Sequence, residues 1–218
     1  MEAALVFGGL SPTGFPLSKG LLGEGVRVIS ISSAVTAEEK ACEEENELFL
    51  GRNALFQHAR TKDWSEESHL VLADTIRTNS DELKALKSKI SSQLNHTHQS
   101  QKVLFLSSLE VCGSLSNETD EKRAEHPDSA LGKAANEMEL FFVHRLREMK
   151  KKAAVIFRTD LNLLSSQKGS EIIAALISGL IDMDHKGLDI VHFKNGESNA
   201  PINDELRHLL PDQYKKFL

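Results

Sequence analysis

The chain has 218 residues, of which 40% are hydrophobic and 27% charged, and its formal net charge at pH 7 is -6. This composition is ordinary for one folded domain, here residues 1–218, and excludes the low-hydrophobicity pattern of disordered chains. The acidic balance predicts no nucleic acid and no membrane partner, because phosphate backbones and anionic lipids attract basic surfaces.

Two further features concern the cellular compartment and metals. The sequence shows no signal-peptide pattern and no apolar run of membrane-spanning length, and Cys42 and Cys112 fit free thiols. We therefore expect a cytoplasmic protein. The two histidines in "NHTHQ", residues 95–99, have no acidic or cysteine ligands beside them, so no metal site is predicted.

Short apolar segments rich in Val, Ile, Leu and Phe alternate with segments of helical composition along the chain. This alternation is typical of a parallel sheet with helices on both faces. The fold class is therefore predicted as α/β, a doubly wound, Rossmann-like parallel sheet of about seven strands in a single domain. The predicted strands are Ala3–Phe7, Arg27–Ser32, Ala54–His58, His69–Ala73, Lys102–Ser107, Ala153–Arg158 and Asp189–Phe193.

Helices are predicted between these strands. The first lies in "SPTGFPLSKGLLGEG", with Ser11 as a possible cap. If it began at Pro12, Pro16 would clash with the carbonyl group four residues back, so its first turn is expected to be distorted or to start later. The other predicted helices are Ala37–Glu47, Ser80–Leu94, Ser129–Lys152, Gly169–Met183 and a closing helix from Asn203.

A glycine-rich turn follows the first predicted strand. A dinucleotide-binding turn uses its first glycine for the bend, its second for close approach of the pyrophosphate and its third for helix packing. Gly8 and Gly9 open this turn and Gly14 takes the third place, but Ser11 stands at the second and Pro12 has no N–H for an anion. An altered dinucleotide site and a plain strand-to-helix turn both remain open.

The second predicted strand ends in "SISSAV". Dinucleotide-binding folds carry an acid there for the ribose of NAD, or a basic residue nearby for the phosphate of NADP. Ser32 and Ser33 can only exchange hydrogen bonds with ribose or phosphate oxygens, so the sequence does not choose between NAD and NADP.

The segment "KVLFLSSLEVCGSLSNETDEKRAEHPDSALGKAANEMELFF", residues 102–142, with the glycine turn before it and "VIFRTDL" after it, resembles the short-chain dehydrogenase/reductase superfamily. The similarity is strongest to its extended, epimerase-like branch. The family pattern has Ser-Ser-x-x-Val-Tyr-Gly at the end of a strand, and here "SSLEVCG" supplies Ser108, with Cys112 in the aromatic place.

The family pattern continues with Pro-x-Tyr-x-x-x-Lys at the start of a long helix. In the preferred register, "PDSALGKAANE" supplies Lys133, and Ser129 replaces the tyrosine. An alternative register puts Leu131 at the tyrosine place and Ala135 at the lysine place. Both registers lack the tyrosine that passes a proton to the substrate in this family, and the single tyrosine of the chain, Tyr214, is not part of the pattern.

The resemblance has consequences for cofactor, substrate and activity. It implies that Ser108, Ser129 and Lys133 occupy the catalytic positions without the usual proton relay, and that Gly8, Gly9, Ser11, Gly14 and Ser32 line a cofactor site that binds NAD(P) weakly or not at all. Only about sixty residues follow Arg158, so the substrate lobe of the family is expected to be reduced or absent.

These departures favour a pseudoenzyme, a binding, regulatory or assembly subunit that has lost conventional oxidoreductase activity. The alternative is an active, atypical NAD(P)-dependent reductase or epimerase-like enzyme that uses Ser108 and Lys133. The resemblance also implies a homodimer, or a heterodimer with a related protein, through the helices Ser80–Leu94 and Ser129–Lys150. The second of these helices is more apolar than contact with one sheet requires.

Overall fold

A computed structural model describes residues 1–59, 68–98, 101–113, 127–151 and 153–194. Its strands form one parallel sheet in the order β3-β2-β1-β4-β5-β6-β7. The predicted doubly wound α/β fold is thus confirmed. The strands are β1 (Ala3–Phe7), β2 (Arg27–Ile31), β3 (Phe56–His58), β4 (His69–Leu72), β5 (Val103–Ser108), β6 (Ala154–Thr159) and β7 (Leu188–Phe193).

The helices lie between these strands. They are α1 (Gly14–Gly23), α2 (Ala37–Leu50), α3 (Ser80–Asn95), α4 (Ala130–Glu148) and α5 (Gln167–Asp182), and single 3₁₀ turns occupy Leu109–Cys112 and Leu161–Ser165. The predicted closing helix from Asn203 and the residue Tyr214 lie outside the described residues.

The boundaries differ from the predictions by up to four residues, the largest difference being the end of α4 at Glu148 rather than Lys152. β3 begins at Phe56 rather than Ala54, because Ala54 and Leu55 lie in a turn in which the Leu55 N–H donates to Asn53 Oδ1. α1 begins at Gly14, which confirms the later start, and the residue four before Pro16 is therefore outside the helix. α2 runs three residues beyond Glu47.

Two apolar cores lie on opposite faces of the sheet. On one face, α1 and α5 pack against the strands through residues such as Leu17, Leu21 and Ile177. On the other, α3 and α4 contribute Leu86 and Phe142, which is fully buried with its ring stacked 4.8 Å from that of Phe105. Strands buried on both faces explain the almost continuous apolar segments of the sequence.

The crossover from β6 to β7 has the opposite hand to those from β4 to β5 and from β5 to β6. The step from β6 to β7 runs in the same direction across the sheet as the steps from β4 to β5 and from β5 to β6, whose helices α3 and α4 share one face. α5 instead lies on the face of α1. Parallel crossovers are almost always right-handed, so this exception is a specific mark of the topology.

The apolar residues of α4 are mostly used within the chain. Met138, Phe142 and Leu146 are buried, and Phe141 packs partly buried against the same core. Leu140 is the large hydrophobic side chain that α4 exposes, at 61%. Most of the apolar side chains of α4 that suggested a dimer interface therefore pack against the sheet of the same chain. The dimer itself stays a prediction.

Candidate functional site at the carboxyl edge of the sheet

The strand order reverses between β1 and β4, and ligands of open α/β sheets bind outside the carboxyl ends of the strands at such a point. The glycine turn lies here. Gly8 has a φ of 74°, and a Cβ atom at this position would lie 2.3 Å from Asp74 Cβ. A Cβ atom on Gly14 would lie 1.9 Å from the carbonyl oxygen of Gly8, so helix and turn pack too closely for a side chain.

The amides at the start of α1 already have partners inside the turn. Ser11 is buried, and its hydroxyl oxygen accepts a hydrogen bond from the Gly14 N–H at 3.0 Å. The Phe15 N–H donates to the Ser11 carbonyl oxygen at 2.8 Å, and Pro12 has no N–H. Three positions that would otherwise offer donors to an anion at the helix N-terminus are thus unavailable to it.

A group of charged side chains surrounds this turn, and we name it the carboxylate network: Glu39, Glu43, Asp74 and Arg77, joined through Ser33. The fully buried Ser33 donates from its hydroxyl group to Asp74 Oδ2 at 2.6 Å and from its N–H to Glu43 Oε1 at 3.0 Å. The two terminal nitrogens of Arg77 donate to the two carboxylate oxygens of Asp74, each at 2.7 Å. The Arg77 Nε donates to Glu39 Oε1, also at 2.7 Å.

Contacts within the network shift the pKa values of Arg77 and Glu39. Burial alone would lower the pKa of Arg77, but its hydrogen bonds and charge contacts with Asp74 and Glu39 raise that pKa above the ordinary value. Burial likewise would raise the pKa of Glu39, but the Val35 N–H and the Arg77 guanidinium lower it. The network thus contains three carboxyl groups and one guanidinium: Asp74 and Glu39 contact Arg77, whereas Glu43 accepts from the N–H groups of Ser33 and Ala34.

A crevice of about 280 Å³ opens beside this network. Glu39, Asp74 and Arg77 form its charged wall, and three leucines form its apolar wall: Leu106, Leu131 and Leu161. Small-molecule sites generally enclose about 300–1,000 Å³, so the crevice is slightly smaller than that range.

The two serines at the end of β5 make structural hydrogen bonds within the chain. Ser108 is buried, and its hydroxyl oxygen accepts from the Glu110 N–H at 3.2 Å, which caps the following 3₁₀ turn. Ser107 donates to Glu139 Oε1 at 2.5 Å, and the same carboxylate pairs with the buried guanidinium of Arg158. Ser108 therefore lies at the predicted edge of the sheet, in a capping role.

Ser129 and Lys133 do not meet in the crevice. Ser129 is the N-cap of α4: its hydroxyl oxygen accepts from the Gly132 N–H at 2.8 Å, and its hydroxyl group contacts the Glu110 carboxylate. Lys133 is exposed, whereas Leu131 lines the crevice and Ala135 is fully buried. The phase of α4 thus favours the alternative register, in which a leucine and an alanine take the tyrosine and lysine places.

The remaining predicted positions are Gly9, Ser32 and the two histidines His96 and His98. Gly9 is buried, and a Cβ atom on it would lie 2.8 Å from Ser30 Oγ; Ser32 is partly buried behind the end of β2. Within the described ranges, no three His, Cys, Asp or Glu side chains lie together as a metal site, and His96 and His98 are exposed. Among the described helices, none has the length and hydropathy that a membrane span requires.

The carboxylate network was missed from the sequence. Two signals pointed to it: the charged pair Asp74 and Arg77 directly follows a buried strand, and Glu39 and Glu43 lie one helical turn apart on α2. Charged groups next to the carboxyl end of a parallel strand are candidates for the ligand edge of the sheet.

No family model matches the sequence, and no curated protein does. Solved structures do match. An NAD-bound dTDP-glucose 4,6-dehydratase of Bacillus anthracis is 12% identical with a TM-score of 0.64, over 97% of this chain and 81% of that one. The chain has the fold of a nucleotide-sugar dehydratase.

Two epimerase structures have the same fold. A UDP-glucuronic acid 4-epimerase of Bacillus cereus, bound to UDP-glucuronic acid and NAD, is 14% identical with a TM-score of 0.62, over 94% of this chain and 82% of that one. The UDP-Glc/GlcNAc 4-epimerase of Campylobacter jejuni is 11% identical with a TM-score of 0.60, over 95% and 83%. At these identities the likeness establishes the fold, and in this respect it confirms the resemblance to the epimerase-like branch.

Proposed function

We propose that this chain has kept the epimerase fold, has lost conventional oxidoreductase activity and acts as a binding, regulatory or assembly subunit. The observation that carries the proposal is the carboxylate network beside the glycine turn. The network places more carboxyl groups than guanidinium groups at the edge of the sheet where a dinucleotide would place its anionic pyrophosphate.

The start of α1 supports the same conclusion. Helix N-termini hold phosphate groups through free N–H donors, and here those of Gly14 and Phe15 donate to Ser11. A bound pyrophosphate would have to displace these internal hydrogen bonds while approaching two carboxylates. We therefore expect NAD(P) to bind weakly or not at all.

The catalytic positions add a second line of support. A proton relay needs a group with a suitable pKa within hydrogen-bonding reach of the substrate. In the register that the phase of α4 favours, Leu131 and Ala135 can neither donate nor accept a proton through their side chains. Lys133 lies on the exposed side of α4, so the alternative enzyme, which needs Ser108 and Lys133 together, lacks support from the geometry.

A spectral and thermal-shift screen with NAD⁺, NADH, NADP⁺ and NADPH tests the proposal. At a ligand concentration of about 100 µM, a site with a dissociation constant of about 1 µM would add about 2.7 kcal/mol of stability. For a chain of this size that gain corresponds to a rise in Tm of about 5–11 °C. We expect no such rise, whereas a nucleotide-sugar epimerase of the same fold serves as the positive control.

The variants Ser129→Tyr and Leu131→Tyr extend the test to catalysis. Neither should create hydride transfer, because turnover requires cofactor, proton donor and substrate to be placed together. Robust hydride transfer by the native protein would reject the proposal and support the atypical enzyme.

A further inference from the structure

The edge strand β7 leaves part of its apolar surface uncovered on the side of α4. In the register of the sheet, Leu188 lies beside Ala154 of β6, and Ile190 lies beside Ile156. Residues paired in this way point to the same face. Ala154 and Ile156 are 2% and 1% exposed, in the core that α4 helps to form. Leu188 and Ile190 are 37% and 47% exposed, so within the described ranges the cover of this face ends between β6 and β7.

The flank of α4 that faces β7 is apolar as well. Lys87 of α3 lies over the ring of Phe141, which therefore marks the flank of α4 toward α3. Val143 follows two residues later, about 200° around the helix, and therefore faces the opposite way, toward β7. Val143 is partly buried against the core, and Leu140, one turn earlier, is 61% exposed.

The two apolar surfaces lie at the same height on the sheet. Glu139 of α4 pairs with Arg158 of β6, and Val143 is one helical turn, about 6 Å, further along α4. Ile156 lies two residues, about 7 Å, before Arg158 on β6, which runs antiparallel to α4. Val143 is thus level with Ile156 and with its neighbour Ile190. We name the combined surface the β7 surface: Leu140, Val143, Leu188 and Ile190.

The chain continues from β7 into a segment that can reach this surface. β7 ends at Phe193, and the nine residues 194–202 lead to the closing helix predicted from Asn203. Nine residues span at most about 30 Å. Every residue of a six-residue strand lies within about 20 Å of its end. The linker is therefore long enough for the helix to begin at the carboxyl edge and run back over β7.

The sequence of the closing segment is amphipathic over about two turns. Asn203 is a favourable N-cap residue, and Pro211 ends the helical pattern. His208 falls on the polar side of this pattern. The apolar side has the spacing i, i+3 and i+4, and its residues are Leu206, Leu209 and Leu210.

We infer that Leu206, Leu209 and Leu210 pack against the β7 surface of the same chain. The nine-residue linker gives the segment an effective concentration of about the millimolar range at this surface, so a separate molecule must bind far more tightly to replace it. The packed segment shields the apolar face of an edge strand, which otherwise favours aggregation. The inference does not depend on the proposed function, and cofactor binding in the thermal-shift screen would leave it unaffected.

Hydrogen exchange of the full-length chain, followed by mass spectrometry, tests the contact from the side of the segment. Leu209→Asp should speed exchange of the β7 amides, residues 188–193, by at least about tenfold, while the amides of β1 keep their wild-type rates as the internal reference. His208→Asp is the matched control, since it adds one negative charge on the polar side of the same turn. It should leave the β7 rates unchanged. Wild-type exchange of β7 in Leu209→Asp would overturn the inference.

The reverse experiment changes the strand and observes the segment. Ile190→Asp should release the segment, so that the amides of residues 204–210 exchange at least about tenfold faster and trypsin cleaves after Arg207 sooner. Leu48→Asp is the control, because it places the same charge on an exposed leucine of α2, and it should change neither rate. Wild-type amides 204–210 that exchange as fast as those of the unfolded chain would contradict the packing.

Protein concentration identifies the occupant of the β7 surface. Protection of β7 in the wild type should be equal at about 1 µM and about 50 µM, because a cover within the chain does not depend on concentration. Protection that rises with concentration would assign the surface to a second copy and overturn the inference.

Discussion

The variant Arg77→Leu tests whether the carboxylate network holds the edge of the sheet together. The change removes the guanidinium that binds Asp74 at 2.7 Å through both nitrogens and Glu39 at 2.7 Å through Nε. The side chains of Arg77 and Asp74 are only 13% and 7% exposed, so water cannot fully replace the lost contacts. Removing one partner of a buried ion pair costs about 3–5 kcal/mol.

The magnitude should lie near the lower end of that range, because the Glu39 side chain is 24% exposed and can be hydrated in the variant. We therefore expect a loss of about 3 kcal/mol, or about 6–12 °C in Tm, measured by thermal and urea unfolding at pH 7. The matched control is Lys87→Met, which breaks the more exposed pair with Glu137 and should cost about 1 kcal/mol or less.

The loss of stability in Arg77→Leu should depend on pH, in a direction set by the lowered pKa of Glu39. Since Arg77 and backbone N–H groups hold the pKa of Glu39 below its ordinary value of 4.5, the stability from this carboxylate is present above about pH 4.5. It is lost as the pH falls through the lowered pKa. The difference between wild type and Arg77→Leu should therefore shrink below pH 4.5. If Arg77→Leu costs no more than Lys87→Met at pH 7, the reasoning about the network is wrong.

Three further predictions concern the turn, the core and one lysine. Gly14→Ala should prevent folding or lower Tm severely, since its Cβ atom would lie 1.9 Å from the Gly8 carbonyl oxygen. Gly23→Ala is the control, because a Cβ atom there meets nothing within 4 Å, and its melting curve should resemble that of the wild type. Phe142→Ala should cost about 3–5 kcal/mol in urea unfolding, and a loss below about 1 kcal/mol would contradict the described core. Burial lowers the pKa of Lys151 to about 8, so the folded chain loses this proton at a lower pH than the unfolded chain does. The Tm of the wild type should therefore rise relative to that of Lys151→Met between about pH 8 and pH 10. An unchanged difference in Tm would refute this.

The fold was predictable because its signals are local. The strands in the middle of the sheet are buried on both faces and therefore read as short apolar runs, as in β1 (Ala3–Phe7) and β6 (Ala154–Thr159). The start of β3 was wrong because Ala54 and Leu55 are apolar and yet lie in a turn fixed by Asn53. Nothing in the periodicity distinguishes such a pair from the first residues of a strand.

The site was predictable only in part. The glycines of the turn announce themselves by their spacing, but the link from Ser33 to Asp74 joins residues 41 positions apart and exists only because β1, β2 and β4 lie side by side. The preferred register matched Lys133 and Glu137 to the family pattern, and both lie on the exposed face of α4. The apolar residues Leu131, Ala135, Met138 and Phe142, at helical spacing, already indicated the inward face of that helix.

Isothermal titration calorimetry of NAD⁺ into the purified wild-type chain tests the central claim most directly. The carboxylate network and the internally bonded amides of α1 predict no saturable binding with a dissociation constant of 1 µM or tighter, which corresponds to about -8 kcal/mol. Stoichiometric binding at or below about 1 µM would mean that pyrophosphate can displace these contacts, and it would contradict the loss of the cofactor site.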